Sequence, residues 1–330
     1  MKRIGINGFG RIGRCTFRQL ILDESLDVVL INDLADIEIL AHLLKYDSIH
    51  GKFPLKFSIE GKSLKFENGK KVLFTQYKSA QEIPWGDHTV NTVIESTGIY
   101  LTEEKASEHL LAGAQRVVLS APPKDEKVQT VVLGVNEQNT DLTAKIISNA
   151  SCTTNSIAPV IKVLKEKINI KTAFISTIHS YTSDQRIHDT PHSDFRRARA
   201  AANSIIPTTT GAAKAITNIF PEFQGRIDGS AIRVPVIDGS LTELTIMTDT
   251  ETSVEEVNEI IKRSSENEMI GIIEYTEDPI VSVDVIGSHA SCVFDAGQTK
   301  VMQNIIKVSA WYDNEMGYSS RLHDLVKKLI

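Results

Sequence analysis

The sequence predicts an α/β protein of two domains: a doubly wound parallel sheet, then an α+β domain with a mixed or antiparallel sheet. The chain has 330 residues, a length that suits two domains. Its first half alternates short β-branched runs with helical patterns, which is typical of βαβ units. Beyond residue 150 alternating strands dominate. We therefore expect a first domain over 1–150, a second over 151–314, and a final helix over 315–330 that packs back onto the first.

The first domain is predicted to begin with a strand, a helix and a second strand, at residues 2–6, 11–22 and 28–31. A two-stranded insertion around 53–66 interrupts the alternation. Gly113 is placed to end a helix over 103–112, because glycine readily adopts the left-handed conformation of a helix end. Further strands are predicted at 92–95, 116–119, 131–133 and 145–147.

The second domain is predicted to open with a long helix over 153–167 and a strand over 172–178. A polar, arginine-rich stretch over 179–203 follows, without a helical or strand period over most of its length. A loop of that size inside a compact domain usually carries function or an interface. Further strands are expected at 230–236, 241–248, 280–284, 292–295 and 305–310.

Composition narrows the classes of function. A net charge of -6 and a pI near 5.9 argue against a surface for nucleic acid or anionic membranes. The N-terminal segment lacks the apolar core of a signal peptide, and no apolar run is long enough to cross a bilayer. Three cysteines are too few for a disulfide framework or a zinc site. We expect a cytoplasmic protein without a metal, a nucleic-acid partner or a membrane partner.

A glycine pattern, GFGRIG at residues 8–13, lies between the first predicted strand and helix. The pattern alone also occurs in structural turns, but Asp33 ends the second strand about 20 residues further on, as in dinucleotide-binding folds. Gly8 permits the tight turn, Gly10 lets the backbone approach a pyrophosphate, and Gly13 allows close helix–strand packing. Asp33 suits the ribose hydroxyls and repels a 2′-phosphate. The sequence thus predicts a Rossmann-type domain that prefers NAD to NADP.

Cys152 is the candidate nucleophile. It lies between a predicted strand and a helix start, where the field of the helix N-terminus lowers the pKa of a thiol. His179 follows a strand, and strand ends are where α/β proteins collect ligands. Together the two suit covalent catalysis assisted by a general base. The alternative, a small buried hydrophobe, fits Cys15 and Cys292, which lie inside a predicted helix and strand.

The segment Ser148-Asn149-Ala150-Ser151-Cys152-Thr153-Thr154-Asn155 resembles the active-site signature of the phosphorylating glyceraldehyde-3-phosphate dehydrogenases. The resemblance covers essentially the whole chain, and this set of motifs in this order is very specific. The other matching motifs are INGFGRIGR at 6–14, HSYT at 179–182, RRARA at 196–200, PTTTGAAK at 207–214 and WYDNE at 311–315.

The resemblance implies NAD-dependent oxidative phosphorylation of glyceraldehyde 3-phosphate to 1,3-bisphosphoglycerate, a reaction of glycolysis and gluconeogenesis. The Cys152 thiolate is expected to add to the aldehyde and form a hemithioacetal. His179 is expected to take the hydroxyl proton and, with the Cys152 N–H, to stabilise the oxyanion. Loss of hydride leaves a thioester, which inorganic phosphate then cleaves.

By the same resemblance, two anions are held by arginines and by hydroxyl or backbone donors. Thr182 and Arg233 match the family's residues for the C3 phosphate of the substrate. Arg196 and Arg199 also suit a solvated basic face or a subunit contact. The residues that match the family's site for the attacking phosphate are Ser151, Thr153, Arg197, Thr210 and Gly211.

The resemblance also implies a set of cofactor contacts. Asn314 is expected to bond the nicotinamide carboxamide and fix which face of the ring reacts, and Lys78 is expected near the adenine. Tyr318 is expected either close to the nicotinamide ring or only in the core, and the sequence favours neither. The positions expected to bind NAD are Gly8, Gly10, Arg11, Ile12, Asp33, Lys78, Ser120 and Asn314.

Two segments depart from the family pattern. Thr190-Pro191 replaces a common Leu-Pro near the adenosine ribose, so dual use of NAD and NADP stays open. Ile237-Asp238-Gly239-Ser240 replaces an Asn-Val-Ser type of sequence near the subunit interfaces. The resemblance implies a homotetramer with the loop over 179–203 at its centre, and the second departure leaves its interfaces open.

The alternatives to this function fit the residues less well. Erythrose-4-phosphate dehydrogenases share the Cys–His pair but typically lack both Ser-Tyr-Thr after the histidine and the Thr-Thr-Thr-Gly loop, and this chain has both. A non-phosphorylating aldehyde dehydrogenase has no need of the set Arg197, Thr210 and Gly211. A secondary binding or adhesion role added to the enzyme has no segment that indicates it.

Overall fold

The computed structural model describes residues 1–329, which form two compact units. The first unit comprises Met1–Val131, Glu137–Ala150 and the end of the chain from Ser319. The second comprises Val132–Asn136 and Ser151–Tyr318. Within the described residues, no helix combines the length and the apolar character needed to cross a membrane.

The first unit is built on a nine-stranded sheet with the order β10-β11-β9-β8-β1-β2-β7-β6-β5. The strands from β10 to β7 run parallel, and the β5–β6 hairpin continues the sheet as an antiparallel edge. This is the predicted doubly wound sheet. Its elements, with the small β3–β4 hairpin, are β1 Lys2–Asn7, α1 Arg11–Leu20, β2 Leu26–Asn32, α2 Ile37–Lys45, β3 Tyr46–Asp47, β4 Gly51–Lys52, β5 Phe57–Glu60, β6 Ser63–Phe66, β7 Lys71–Thr75, β8 Thr92–Glu95, α3 Glu103–Leu111, β9 Arg116–Leu119, β10 Gln129–Thr130 and β11 Ile146–Ser148.

The turn between β1 and α1 requires glycine at two positions. Gly8 has a φ of 91°, which side chains other than glycine rarely tolerate. A Cβ atom on Gly13 would lie 2.2 Å from the carbonyl oxygen of Gly8, so only glycine lets α1 start this close to the strand end. Both were predicted from the spacing of the pattern.

The second unit holds an eight-stranded mixed sheet with the order β13-β14-β12-β15-β19-β17-β16, to which β18 adds by pairing with β19. β12 pairs parallel with β14 and antiparallel with β15. The predicted α+β class of this part is confirmed. Its elements are α4 Cys152–Lys165, β12 Ile170–Ser180, β13 Ile206–Thr208, α5 Ala212–Ile219, β14 Ile227–Val234, β15 Ser240–Thr248, α6 Val254–Ser265, β16 Ile273–Thr276, β17 Cys292–Asp295, β18 Lys300–Met302 and β19 Ile305–Tyr312. The final helix, α7 Met316–Lys328, begins in this unit and continues into the first.

Some predicted elements are wrong. The alternating residues at 280–284 suggest a strand, but residues Ser282–Val285 form a single 3₁₀ turn. The Asp284 carboxylate accepts a hydrogen bond from Val281 N–H at 2.7 Å, and both Val281 and Val283 are exposed, so the apolar alternation does not face a core. The strand predicted at 131–133 is also wrong, because the strand in this part of the chain, β10, covers only Gln129–Thr130. Helices α2, α5 and α6 were not predicted.

The final helix begins at Met316, where the Asp313 carboxylate accepts hydrogen bonds from the N–H groups of Glu315 and Met316 at 2.8 and 2.6 Å. From Ser319 onward the chain belongs to the first unit. There Lys327 forms an ion pair with Asp23 at 2.9 Å. The last residue of the predicted helix, 330, lies outside the described residues.

Candidate active site

Cys152 is the first residue of α4, and the sequence before it forces the chain into a sharp turn. Ala150 has a φ of 58°, the left-handed conformation that alanine seldom adopts. Ser151 then caps the helix, because its Oγ accepts a hydrogen bond from Thr154 N–H at 3.1 Å. The Cys152 thiol is therefore held at a helix N-terminus, where unpaired N–H groups favour negative charge.

His179 is the partner of this thiol. It lies one residue before the end of β12, and its Nε2 atom is 3.5 Å from the Sγ atom of Cys152. On the other side of the ring, Nδ1 lies 2.8 Å from the carbonyl oxygen of Ser180 and 2.8 Å from the NH1 atom of Arg233. The predicted nucleophile and base are thus in contact, with the base oriented by two further groups, an arrangement that suits covalent catalysis.

The electrostatics of the pair differ from the expectation for a helix N-terminus. Burial raises the pKa of the Cys152 thiol, and this outweighs the charge of Arg233 and the hydrogen bonds from Thr153, which lower it. Burial and the Arg233 charge together lower the pKa of His179 to about 3. The expected lowering of the thiol pKa is therefore wrong, because desolvation outweighs the helix field. The resting pair is a thiol beside a neutral imidazole.

The pairing of β12 with β14 places Arg233 beside His179. It lies on β14 directly opposite His179 on β12. Its NH1 atom also donates to the Ser180 carbonyl at 2.9 Å, which leaves the rest of the guanidinium group to bind an anion. Thr182, the other residue expected at the substrate phosphate, follows β12 by two residues, and its N–H donates to the side chain of Gln185 at 3.2 Å.

Arg197 lies in a second polar cluster, formed by the arginine-rich loop and the segment before α5. Its Nε atom donates to Thr208 Oγ1 at 3.0 Å, and its guanidinium group also forms an ion pair with Asp184. Thr210 precedes α5, and its Oγ1 accepts a hydrogen bond from Ala212 N–H at 3.1 Å, while Gly211 is the N-cap of that helix. The positive charge of Arg197 also lowers the pKa of His179, so the cluster around Arg197 interacts electrostatically with the Cys152–His179 pair.

The hydroxyls of Ser151 and Thr153 have partners within the second unit. Ser151 Oγ lies 2.8 Å from Thr154 Oγ1, and Thr153 Oγ1 lies 3.0 Å from the hydroxyl of Tyr312. Tyr312 lies in the WYDNE motif, but no sequence pattern assigned it a role. Its ring packs edge-on against His179, with centroids 5.9 Å apart. Burial raises the pKa of Tyr312, so its hydroxyl stays protonated as a hydrogen-bond donor.

Asn314 is held by two serines that no sequence pattern linked to it. Its Oδ1 atom accepts hydrogen bonds from the hydroxyls of Ser180 and Ser240, at 2.8 and 2.7 Å. Ser240 belongs to the segment that departs from the family pattern. Its neighbour Asp238 is fully buried, and burial together with the Asp313 carboxylate raises the pKa of that side chain. Ser180 lies in the HSYT motif and Ser240 in the departing segment, but neither was given a role, because their contact with Asn314 depends on how the strands pair.

The first unit carries the predicted dinucleotide residues at the carboxyl ends of its strands. Asp33 follows β2, and its Oδ2 accepts a hydrogen bond from Phe9 N–H in the glycine turn at 2.7 Å. A Cβ atom on Gly10 would meet nothing within 4 Å, so the turn offers open space to a ligand. The first turn of α1, which includes Ile12, has N–H groups without acceptors inside the helix. These features fit the pyrophosphate and ribose of a dinucleotide.

The other residues expected to bind NAD, Arg11, Ser120 and Lys78, differ in their exposure and in their hydrogen-bond partners. The Arg11 guanidinium group forms a bidentate ion pair with Asp47, at 2.7 and 3.1 Å, so Arg11 offers a ligand its backbone rather than its charge. The same contact contributes to lowering the pKa of Asp47 to about 2. Ser120 follows β9, and its N–H donates to the Glu95 carbonyl at 2.9 Å. Lys78 is exposed, and its carbonyl accepts a hydrogen bond from the Tyr100 hydroxyl at 3.3 Å.

Comparison with known proteins identifies the family. Residues 2–103 match the NAD binding domain of glyceraldehyde 3-phosphate dehydrogenase, and residues 151–314 match its C-terminal domain. Among curated proteins, the glyceraldehyde-3-phosphate dehydrogenase of Priestia megaterium (strain DSM 319 / IMG 1521) is 48% identical over 98% of this chain and 97% of its own. The chain belongs to the glyceraldehyde-3-phosphate dehydrogenase family.

Other members of this family are similarly close. The glyceraldehyde-3-phosphate dehydrogenase of Geobacillus stearothermophilus is 49% identical over 98% of this chain and 96% of its own. Glyceraldehyde-3-phosphate dehydrogenase 1 of Bacillus subtilis (strain 168) is 47% identical with the same coverage. The resemblance stated from the motifs is confirmed. The match to the NAD binding domain makes NAD the cofactor of the first unit, as its glycine turn and Asp33 indicated.

Proposed function

We propose that this protein is the phosphorylating glyceraldehyde-3-phosphate dehydrogenase of glycolysis and gluconeogenesis. In this role it oxidises glyceraldehyde 3-phosphate with NAD and inorganic phosphate to 1,3-bisphosphoglycerate. The observation that carries the proposal is the Cys152–His179 contact of 3.5 Å at the start of α4, in a chain of this family. A thiol beside a neutral imidazole is the pair that thioester chemistry requires.

The residues of the second unit supply the steps of this reaction. His179 accepts the thiol proton through Nε2 as the Cys152 sulfur forms its bond to the aldehyde carbon, which gives the hemithioacetal. The Cys152 N–H and the imidazolium stabilise the developing oxyanion by hydrogen bonds, and the imidazolium then returns its proton to that oxygen, which leaves a hydroxyl group and a neutral His179. His179 takes the hydroxyl proton as the carbon loses hydride to NAD, which supplies only the hydride acceptor. A phosphate oxygen attacks the resulting thioester, the carbon–sulfur bond breaks, and Cys152 leaves as the thiolate.

The arginines would hold the two anions that this chemistry needs. Arg233, next to His179, and Thr182 are assigned to the C3 phosphate of the substrate. Arg197, with Thr210 and Gly211, is assigned to the attacking phosphate, and Ser151 and Thr153 complete that site. Occupation by phosphate would require Arg197 to exchange its ion pair with Asp184 for the anion, and the Asp184 carboxylate, which is 57% exposed, would then be solvated by water.

The first unit would bind NAD through Gly8, Gly10, Arg11, Ile12, Asp33, Lys78 and Ser120. The backbone N–H groups of the first turn of α1 suit the pyrophosphate, and the carboxylate of Asp33 suits the adenosine ribose. That carboxylate also disfavours a 2′-phosphate, so we assign NAD as the preferred cofactor. The acidic pI and the three free cysteines support a cytoplasmic enzyme.

The first test is NADH formation from glyceraldehyde 3-phosphate and NAD, with and without inorganic phosphate. We expect the steady rate to depend strongly on phosphate, because the thioester needs that nucleophile. Replacement of Arg197 by alanine should raise the KM for phosphate about 10- to 100-fold, since charge-assisted bonds to an anion contribute about 1.5–3 kcal/mol. Arg196→Ala, an exposed neighbour, is the matched control and should change it little.

Three outcomes would contradict parts of the proposal. A rapid steady rate without phosphate would indicate hydrolysis of the thioester and a non-phosphorylating enzyme. Faster turnover of erythrose 4-phosphate than of glyceraldehyde 3-phosphate would reassign the substrate. An equal rise of the phosphate KM in both arginine variants would remove Arg197 from the anion site.

The homotetramer is part of the proposal, and one face of the second sheet supports it. Phe174 on β12, Met247 on β15 and Ile232 on β14 are exposed by 49%, 42% and 36% on this face. Large apolar side chains that share one exposed sheet face are typical of a surface that another subunit covers. We assign this face to a contact between copies of the chain.

The double variant Phe174→Glu/Met247→Glu should dissociate the assembly at this contact. Burying each large apolar side chain contributes roughly 1.5–3 kcal/mol, so we expect the dissociation constant to rise by about two orders of magnitude or more. Sedimentation over a range of concentrations measures it. Leu111→Glu, at an exposed position of the first unit, is the control. An unchanged mass for the double variant would show that this face is not the contact.

A further inference from the structure

The side-chain amide of Asn314 is held in one orientation by hydroxyl groups. The residue is only 6% exposed, and its Oδ1 atom is 2.8 Å from Ser180 Oγ and 2.7 Å from Ser240 Oγ. Both serines are buried, at the end of β12 and the start of β15. An amide oxygen has two lone pairs, so it can accept from both hydroxyls at once.

The hydrogen-bond balance of the two serines excludes the opposite orientation. Ser240 Oγ already accepts a hydrogen bond from Ser180 N–H at 3.1 Å, so its own proton needs an acceptor. If the amide were turned over, its NH₂ group would face both hydroxyls, and each hydroxyl would have to accept. Their protons would then be left with only the contact between the two Oγ atoms, at 3.5 Å, and a buried donor without an acceptor is unfavourable.

The fixed orientation leaves the NH₂ group of Asn314 available. Within residues 1–329, Nδ2 of Asn314 has no hydrogen-bond partner, whereas Oδ1 has two. The side chain therefore offers a ligand a donor and not an acceptor. A nicotinamide carboxamide carries both kinds of group, a carbonyl oxygen and an NH₂, so the orientation of Asn314 decides which of them it can bond.

We propose that Ser180 and Ser240 are positioning residues that lock the Asn314 amide, so that its NH₂ group donates to the carbonyl oxygen of the nicotinamide carboxamide. The inference rests on the proposed role of Asn314 in binding NAD. Neither serine touches the ligand. Their contribution is to remove the alternative amide orientation before NAD binds, which lowers the free-energy cost of ordering the site.

The test compares the affinity for NAD with that for ADP-ribose, which lacks the nicotinamide ring. In the Ser180→Ala/Ser240→Ala variant of the full-length protein, we expect NAD to bind about 3- to 10-fold more weakly, the range for one or two lost neutral hydrogen bonds. ADP-ribose should bind as it does to the wild type. The analogue with an acetyl group in place of the carboxamide has only an acceptor, so its affinity should fall at least as far as that of NAD.

Conservative and neutral variants complete the experiment. Ser240→Thr keeps the hydroxyl and should retain most of the affinity for NAD, and Ser176→Ala, on the same strand as Ser180, should change neither ligand. Unchanged NAD affinity in the double variant, or an equal loss for NAD and ADP-ribose, would overturn the proposal. The Asn314→Ala variant distinguishes failure of the serine role from failure of the proposed role of Asn314 in binding NAD. If it leaves the NAD to ADP-ribose ratio unchanged, the role of Asn314 itself is wrong.

Discussion

Replacing Cys152 by serine is expected to lower the turnover number for glyceraldehyde 3-phosphate by about four orders of magnitude or more, because a serine hydroxyl is a far weaker nucleophile at neutral pH. The geometry should survive the change, since the hydroxyl is smaller than the thiol and the N-cap on Ser151 is untouched. NAD affinity should stay within about twofold, because the glycine turn and Asp33 lie in the other unit. Stopped-flow measurement of NADH formation and a binding titration give both quantities.

The other cysteines provide the control for this prediction. Cys15 and Cys292 are fully buried in α1 and β17, whereas Cys152 is only partly buried. Because His179 Nε2 lies within reach of the thiol proton, iodoacetamide should label the partly exposed Cys152 in the wild type and abolish turnover, and the Cys152→Ser variant should take up almost no label. Cys292→Ser should keep its activity. Turnover retained in Cys152→Ser would rule out a thioester on this residue.

The sequence predicts the local parts of the site well, because each depends on a short segment. The turn at Gly8 and Gly13 follows from backbone geometry that only glycine satisfies, and the structure shows it. The thiol at the start of a helix was also predicted, since strand and helix patterns meet at Cys152. The apolar alternation at 280–284 misled because a local side-chain contact wins there: the Asp284 carboxylate accepts a hydrogen bond from Val281 N–H and closes a turn in place of the expected strand.

The parts that the sequence does not reveal depend on strand register. Arg233 meets His179 because β14 pairs with β12 so that these two residues are opposite, and Tyr312 lies opposite Ser240 in the pairing of β15 with β19. A shift of one residue in either pairing would turn the side chain to the other face of the sheet. Register is set by the whole strand and its neighbours, so motif spacing along one chain could not predict the contacts of Tyr312 or Ser240.

The thiol pKa shows a second limit of sequence reasoning. A cysteine at a helix N-terminus is expected to have a lowered pKa, and that argument considers only the field of the helix. Burial acts in the opposite direction on Cys152 and dominates. The extent of burial depends on side chains far away in the sequence, such as Tyr312 and Arg233. The same burial leaves His179 neutral, so its Nε2 atom has a free lone pair for a proton.

Replacing His179 by asparagine is expected to lower turnover by about 10²- to 10⁴-fold, the range for loss of a general base. Asparagine still donates a hydrogen bond but cannot take the thiol proton. Single-turnover measurements should show that formation of NADH is slowed, with NAD affinity retained. His42→Asn, an exposed histidine of the first unit, is the matched control and should keep normal turnover. A variant at position 179 with near-normal rates would mean that another group acts as the base.

The same variant should change how stability depends on pH, and the sign follows from the pKa of His179. The folded-state pKa is about 3, below the value near 6.5 in the unfolded chain, so below pH 6.5 only the unfolded chain binds this proton. The wild type should therefore lose about 1.4 kcal/mol of unfolding free energy per pH unit from this group as the pH falls, which amounts to about 2 kcal/mol at pH 5. Asparagine does not titrate, so urea unfolding of His179→Asn should weaken less between pH 7.5 and 5 than that of the wild type. Equal losses in the two proteins would show that the pKa of His179 is not lowered in the folded state.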